Sequence, residues 1–240
     1  DVYKRQDRDV ATEAFKSGAF DLRAENQSKR WATAYDFPAL KEGKVKKILI
    51  PHERPTGMQG FVFNTRKNFF SDPKVRLAIN YAWDFEWTNK TLMYNAYKRT
   101  NSYFSNSELS SSGRLPDGEE LKILQKFKGQ VPKQVFDEVY KAPQTDGSGN
   151  NRKNLRLALK LLREAGWAVK DGKLVNRNGI PLKFELLIAY PSIERLALPL
   201  KQSLKRLGIE MSIRTVDVAQ YQQRVDTFDF DMIVSSFGQS

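Results

Sequence analysis

The sequence contains no cysteine and only one histidine, His52, in 240 residues. The absence of cysteine excludes a disulfide framework and thiolate chemistry, and it is compatible with either a reducing or an oxidising compartment. A metal site would have to rely on carboxylates, and no predicted helix places two of them at positions i and i+4 facing a pocket. We therefore expect no metal and no cofactor, and we expect His52 to be a surface residue.

The usual signatures of catalytic sites are missing as well. No G-x-S-x-G turn is present to expose a nucleophilic serine. The segment GWAVKDGKL has five residues rather than four between Gly166 and Gly172, and Leu174 stands where a phosphate-binding loop carries a hydroxyl. Asp229 and Asp231 alternate at the start of a strand, where turn and capping roles are expected. The sequence therefore predicts a protein that is not an enzyme.

Long apolar runs are also absent, and none approaches the eighteen residues of a membrane-spanning helix. The formal net charge of +12 raises the alternative of a basic nucleic-acid-binding domain, because phosphate binding needs clustered Lys and Arg. The 40 basic residues are instead scattered among 28 acidic ones, and the patch KEGKVKK at 41–47 is interrupted by Glu and Gly. This pattern favours a basic, solvated surface without nucleic acid as a partner.

Helix and strand signals alternate regularly after residue 150, which predicts an α/β fold. The order is a helix, a hairpin turning at Asp171-Gly172, a strand, a helix capped by Ser192, a strand, a helix and a final strand. Strands separated by single helices pair in parallel through right-handed crossovers. The stretch 98–150 is long and polar, which is typical of either a binding loop or a solvated insertion.

The earlier part of the chain contains the clearest helix. Asp72 and Pro73 form its cap and first turn, and apolar residues recur at helical spacing from Val75 to Trp83. Upstream, the pattern predicts a helix at 7–18, a brief strand in FDLRAEN (20–26), a short helix after it, and strands at 44–53 and 60–65.

Polar and aromatic residues follow the predicted strand ends. In α/β sheets, ligands bind at the carboxyl ends of strands, where loops and helix N-termini offer unpaired donors. The predicted ligand-binding residues are therefore Arg23, Glu25, Asn26, Asn101, Ser102, Phe104, Asn106, Tyr190, Ser192, Phe237, Gln239 and Ser240. The pattern indicates that the protein binds a ligand without catalysing a reaction.

The segment FVFNTRKNFFSDPKVRLAINYAWD resembles the signature of the extracytoplasmic solute-binding proteins of peptide/nickel ABC importers, the oligopeptide- and dipeptide-binding family. The matching positions are Asn64, Thr65, Asp72, Pro73, Val75, Arg76, Ala78, Asn80, Ala82 and Asp84. AGW with DGKL, GIPLKFELL, LGIEMSIRTVDVAQYQQRV and DFDMIV match in the same order, so the resemblance extends over essentially the whole chain. TNSYFSNSELSSSGRLPDGEE and SSFGQS are most similar to the YejA-type branch, which is associated with oligopeptides and microcin C.

The resemblance implies part of a two-lobed, type II periplasmic-binding-protein fold with a mixed sheet. Residues 1–60 would be the late part of the first lobe, and 61–240 most of the second, with the insertion at about 98–150. Asn64 and Thr65 would lie at the hinge. The chain begins without Met or a leader and ends soon after a strand, so we expect a fragment that lacks both ends of its parent.

The resemblance also implies a function. The parent would be a monomeric, periplasmic or lipid-anchored receptor that captures oligopeptides or peptide-like solutes and delivers them to the permease subunits in the inner membrane. A hydrolase acting on peptides is the enzymatic alternative. Peptide-binding relatives hold the ligand's free ammonium with an aspartate, and counting from Asp231 places that position near Ser240. Because a buried ammonium needs a carboxylate partner, we expect ligands whose amino end is blocked or lies elsewhere.

Overall fold

The computed structural model describes residues 8–111 and 113–238. The chain divides into two compact units by its internal contacts. Unit 1 comprises the described residues up to His52 together with Asn89–Tyr97, and unit 2 comprises Glu53–Thr88 and the described residues from Lys98 onward. In the described ranges, no helix has the length and apolarity that crossing a bilayer requires.

Helices and strands alternate along the chain in the following order: α1 (Arg8–Lys16), α2 (Ser28–Thr33), α3 (Pro38–Lys41), β1 (Met58–Phe63), α4 (Asn68–Ser71), α5 (Pro73–Ala82), α6 (Phe85–Leu92), α7 (Gly118–Gln125), α8 (Gln134–Asp137), α9 (Arg152–Glu164), β2 (Ala168–Lys170), β3 (Lys173–Val175), β4 (Lys183–Ile188), α10 (Pro191–Arg206), β5 (Glu210–Thr215), α11 (Val218–Asp226) and β6 (Met232–Phe237). The predicted α/β class is confirmed.

Unit 2 is built around a mixed four-stranded sheet in the order β1-β6-β4-β5. β4 pairs in parallel with β5 and with β6, and β1 is antiparallel to β6. The parallel pairs confirm the crossovers expected after residue 150. A separate hairpin joins β2 and β3, and its turn residues Asp171 and Gly172 both have positive φ, as a two-residue turn of this type requires.

The core of unit 2 forms two layers, one on each face of the sheet. Alternate residues of β4 point to opposite faces: Leu186 packs in the larger cluster, and Leu187 belongs to the smaller one. The larger cluster includes buried residues of α5, α9 and α10, such as Ile79, Leu162 and Leu200. Residues of α11 pack against the smaller cluster. The sheet is therefore covered by helices on both faces.

Helix α5 begins and packs as its sequence predicts. The Asp72 carboxylate accepts a hydrogen bond from the Lys74 amide at 2.8 Å, and Pro73 occupies the first turn. Val75, Ala78, Ile79 and Ala82 are buried along one face. Capping and a continuous apolar stripe together explain why this helix could be located from the sequence.

The described residues of unit 1 include the short helices α1, α2 and α3 and the end of α6, and side chains of this unit gather around an aromatic cluster. Phe15 contacts Phe20, Tyr35 and Phe37 through tilted or edge-to-face ring contacts. The strands predicted at 20–26 and 44–53 are absent from the described residues, so these two predictions are wrong. A strand needs a neighbour for its backbone groups, and the described chain provides none there. Residues 48–50 are consequently exposed, with Leu49 at 83%.

The first passage of the chain from unit 1 to unit 2 lies at His52–Glu53, before β1, and the lobe boundary predicted at residues 60–61 stays a prediction. The amide of Thr56 donates to the Ser105 carbonyl at 2.8 Å, so the residues before β1 are attached to unit 2. In addition, residues 89–97 group with unit 1. Contacts between residues far apart in the chain decide this division, and a linear reading of the sequence does not reveal them.

Candidate functional site: an aromatic edge of the sheet

The parallel strands of unit 2 all end at the same edge of the sheet. β4 pairs Leu186 with Met232 and Leu187 with Ile233 of β6. Tyr190 follows the last residue of β4 by two positions, and Phe237 is the last residue of β6. Tyr190 is 61% exposed and Phe237 is 42% exposed. Two residues predicted from strand ends therefore lie at the carboxyl ends of neighbouring parallel strands, which is the edge where α/β sheets bind ligands.

A loop from the polar stretch adds a third ring to this edge. Tyr103 contacts Phe237 edge-to-face, with ring centroids 5.8 Å apart and planes at 82°. Both the amide and the hydroxyl of Thr56 donate to the Ser105 carbonyl, which attaches this loop beside the start of β1. We call Tyr103, Tyr190 and Phe237 the aromatic edge. Half-exposed aromatic rings at a strand terminus can pack against apolar or aromatic groups of a ligand.

Gly57 lets β1 approach β6 closely beneath the aromatic edge. A Cβ atom at Gly57 would lie 2.2 Å from the Phe237 carbonyl oxygen, which is far inside van der Waals contact. Met58 pairs with Phe237 in the antiparallel ladder. The observed position of the Phe237 backbone therefore requires a residue without a side chain at position 57.

Tyr221 of α11 is hydrogen-bonded to β6 near the same edge. Its hydroxyl donates to the Val234 carbonyl at 3.0 Å. Burial raises the pKa of Tyr221 above its usual value, and Tyr190 contributes to the same shift. The hydroxyl is therefore held in its neutral, donating form beside the aromatic edge.

Arg99 anchors the loop that carries Tyr103. One guanidinium nitrogen donates to the Pro143 carbonyl at 2.9 Å, and another donates to Asn80 Oδ1 of α5 at 2.5 Å. Desolvation lowers the pKa of the guanidinium, while the nearby carboxylates of Glu86 and Asp84 act in the opposite direction. This partly buried cation connects the loop to the helix of the signature segment.

The other polar residues of this loop that were predicted to bind ligand form hydrogen bonds that stabilise the loop. Asn101 Oδ1 accepts from the Ala142 amide at 2.9 Å. Ser102 is buried, and its hydroxyl oxygen accepts from the amides of Phe104 and Ser111. Asn106 adopts positive φ and donates to the Arg54 carbonyl. A ligand role for Asn101, Ser102 and Asn106 stays a prediction, and their observed contacts are structural; Phe104 is 38% exposed.

Ser192 does not cap α10, so this prediction is wrong. The N-cap residue is Tyr190, which makes no side-chain capping bond, and Pro191 starts the helix. Proline is favourable at the first helical position because its missing amide hydrogen is not needed there. Ser192 lies one residue further along and is exposed. The remaining predicted positions of this set, Gln239 and Ser240, lie outside the described residues.

Arg23 and Glu25 of unit 1 are engaged with each other. The Arg23 guanidinium contacts Glu25 at 3.2 Å and donates to the Tyr35 hydroxyl at 3.1 Å. The Glu25 side chain is only 3% exposed and also lies 3.8 Å from Arg30. Burial works to lower the pKa of Arg23, but the bonds to Tyr35 and Glu25 outweigh it and raise the pKa. Asn26 is exposed beside this network, and a ligand role for all three stays a prediction.

Asn64 and Thr65, predicted at a hinge, lie inside unit 2. The Asn64 amide donates to the carbonyls of Phe228 at 3.0 Å and Phe230 at 2.8 Å. The Asp231 carboxylate in turn accepts from the Glu185 amide of β4 at 2.9 Å. These bonds fix the end of β1 to the turn before β6, and a hinge role for Asn64 and Thr65 stays a prediction.

Sequence reasoning missed four residues of this site: Tyr103, Gly57, Arg99 and Tyr221. Tyr103 adjoins the predicted Phe104 in an exposed-looking aromatic pair, so composition offered a signal. Gly57 and Arg99 act through neighbours about 180 and 44 residues away in the chain, and no local pattern marks such contacts. In the described ranges, no group of three or more His, Asp or Glu side chains is arranged to hold a metal ion.

Comparison with known proteins places the chain in a known family. Residues 2–240 match the family described as "Bacterial extracellular solute-binding proteins, family 5 Middle". The chain belongs to solute-binding protein family 5. This family 5 chain is 48% identical over 237 residues to the "Probable peptide-binding protein YejA" of Agrobacterium fabrum, covering 98% of the chain and 38% of that protein.

A second relative and a solved structure extend the comparison. The family 5 chain is 42% identical over 235 residues to the "Peptidoglycan-binding protein YepA" of the same organism, covering 95% of the chain and 38% of that protein. The oligopeptide-binding protein AppA of Bacillus subtilis, solved with a nonapeptide, shares the fold with a TM-score of 0.65 and 21% identity. That match covers 97% of this chain and 39% of AppA. The chain thus spans less than two fifths of the length of these relatives.

Proposed function

We propose that the full-length protein is the substrate-binding receptor of an ABC importer, which captures oligopeptides or peptide-like solutes and passes them to a permease in the inner membrane. Membership of family 5 supports a receptor, and the names of the YejA relative and of AppA support peptides. The receptor would work in the periplasm, either free or as a lipoprotein. The nucleic-acid alternative has no support in these comparisons.

The aromatic edge is the observation that carries this proposal. Peptide backbones are recognised by hydrogen bonds and their side chains by pockets, and exposed rings at strand ends provide apolar contact area. Binding by closure of two lobes requires hinge residues. The hinge predicted at Asn64 and Thr65 remains part of this proposal for the full-length receptor.

Calorimetry on the full-length receptor tests the proposal. A panel of short peptides and a panel of soluble peptidoglycan fragments are titrated into the wild type and into Tyr103→Ala and Phe237→Ala variants. Phe237 exposes 42% of its surface, so a ligand can bury on the order of 80 Å² of it, worth up to about 2 kcal/mol or roughly 30-fold in Kd. Phe127→Ala is the matched control, because Phe127 is 46% exposed in the same unit and away from the aromatic edge.

The proposal predicts peptide binding by the wild type, weaker binding by both edge variants and unchanged binding by the control. Equal affinities in all four proteins would remove the aromatic edge from the ligand site. Mass spectrometry of the peptides after incubation separates a receptor from a hydrolase, since a receptor returns every peptide intact. Binding of peptidoglycan fragments but not of peptides would identify peptidoglycan fragments as the ligand class of the receptor.

A further inference from the structure

Helix α9 presents an exposed line of positive charge. Arg152, Arg156, Lys160 and Arg163 recur at positions i, i+4, i+8 and i+11, and all four are exposed. Residues at this spacing lie along one side of a helix. With a rise of about 1.5 Å per residue, the line is roughly 16 Å long.

Arg177 extends the line beyond the end of the helix. Its Nε atom lies 3.4 Å from the position that a Cβ of Gly166 would occupy, and Gly166 follows Arg163 by three residues. We call Arg152, Arg156, Lys160, Arg163 and Arg177 the cationic stripe. Over residues 8–111 and 113–238, none of the five forms an ion pair or a side-chain hydrogen bond. Glu164, the acidic residue of α9, is bound to Lys74 of α5 at 3.2 Å.

The charges of the cationic stripe are unfavourable for the stability of α9 itself. Like charges at i and i+4 repel one another, and an exposed face that only needs to be solvated gains more from alternating signs. The first turn carries Arg152 and Lys153 and no acidic residue, although the helix dipole favours negative charge there. On α7, by contrast, Lys122 pairs with Glu119. A stripe of one charge sign that lowers helix stability and has no acidic partner among the described residues indicates a partner beyond those residues.

We infer that the cationic stripe docks against an acidic segment of the permease that receives the ligand, an inference that rests on the function proposed above. Four of the five residues are arginines, whose planar guanidinium groups bind carboxylates with two parallel hydrogen bonds. The four members on α9 lie in one row along the helix, which a linear acidic element can follow. Complementary charge of this kind guides orientation and speeds association.

The test measures the affinity of the full-length receptor for its permease in nanodiscs of neutral lipid, at low and at high salt. Arg156→Glu combined with Lys160→Glu reverses the centre of the stripe. Lys205→Glu combined with Arg206→Glu in α10 is the matched control, because it changes the net charge equally at exposed positions on another helix. We expect the stripe variant to bind the permease at least about tenfold more weakly at low salt, and the difference to shrink at high salt. The control should match the wild type.

Ligand calorimetry on the same proteins separates the two proposals. Unchanged ligand affinity together with weakened permease binding supports the docking surface. Equal permease binding by all three proteins, or equal weakening in stripe and control variants, overturns it while leaving the receptor function intact. Absence of ligand binding in the wild type overturns the receptor function instead. Stripe-dependent binding to anionic vesicles without permease, or to an oligonucleotide, would identify lipid or nucleic acid as the partner of the stripe. Either result also overturns the inference.

Discussion

Replacing Arg99 tests whether the loop that carries Tyr103 is held from within unit 2. The variant Arg99→Met keeps an unbranched side chain and removes all donors, so the Pro143 carbonyl and Asn80 Oδ1 each lose a charged partner. Hydrogen bonds to charged groups contribute about 1.5–3 kcal/mol each, and the relief of guanidinium desolvation offsets part of that loss. We expect unfolding free energy to fall by about 2–4 kcal/mol.

Urea unfolding of the full-length protein measures this change. With an m value of about 2–3 kcal/mol/M, the transition of the structural unit that contains Arg99 should move down by roughly 1 M, with the slope unchanged. Lys98→Met is the control, because Lys98 is the adjacent cation and is exposed. Ligand affinity is a second measurement. Arg99→Met should weaken ligand binding when it is introduced into the wild type, and it should cause little further loss of affinity in the Tyr103→Ala variant. Equal midpoints for both variants, or fully additive effects on affinity, would refute the anchoring role.

Three further predictions concern the same unit and its ligand. Gly57→Ala should lower the unfolding free energy by about 1–3 kcal/mol, because its Cβ would clash with the Phe237 carbonyl; an unchanged urea midpoint would contradict this. The raised pKa of Tyr221 stabilises the fold below pH 10.0 and this stabilisation is lost as pH rises through the folded-state value, so Tyr221→Phe should show a smaller alkaline loss in pH-dependent melting than the wild type. N-acylated peptides should bind the full-length receptor at least as well as free-amine peptides in calorimetry, and a clear preference for the free amine would exclude the blocked-end ligand.

Features that depend on neighbouring residues in the chain could be predicted from the sequence. The cap and stripe of α5, the hairpin at Asp171-Gly172 and the parallel strands after residue 150 all follow from local patterns. Tyr190 and Phe237 could be assigned to one edge because parallel strands share their carboxyl side. These predictions used only periodicity, turn chemistry and crossover rules.

Features that depend on distant partners could not be predicted. The segment 44–53 alternates like a strand, but strand formation needs a partner that no local pattern identifies. The contacts of Arg23 and Glu25 with Tyr35 and Arg30 also join residues that no local pattern connects. In these cases the deciding contact joins groups whose proximity only the fold creates. Ser192 is a separate case, because its sequence neighbour Pro191 starts the helix and the N-cap lies at Tyr190, two residues before the predicted cap.

The pairing of β1 with β6 has a consequence for biosynthesis. Phe63 pairs with Met232, about 170 residues later, so β1 can join its partner strand only after the whole intervening segment has been synthesised. Closing so long a loop is slow, because its entropic cost precedes the stabilising contacts. A nascent chain that folds slowly stays unfolded for longer. This is compatible with export of an unfolded chain across a membrane, which the proposed periplasmic location implies.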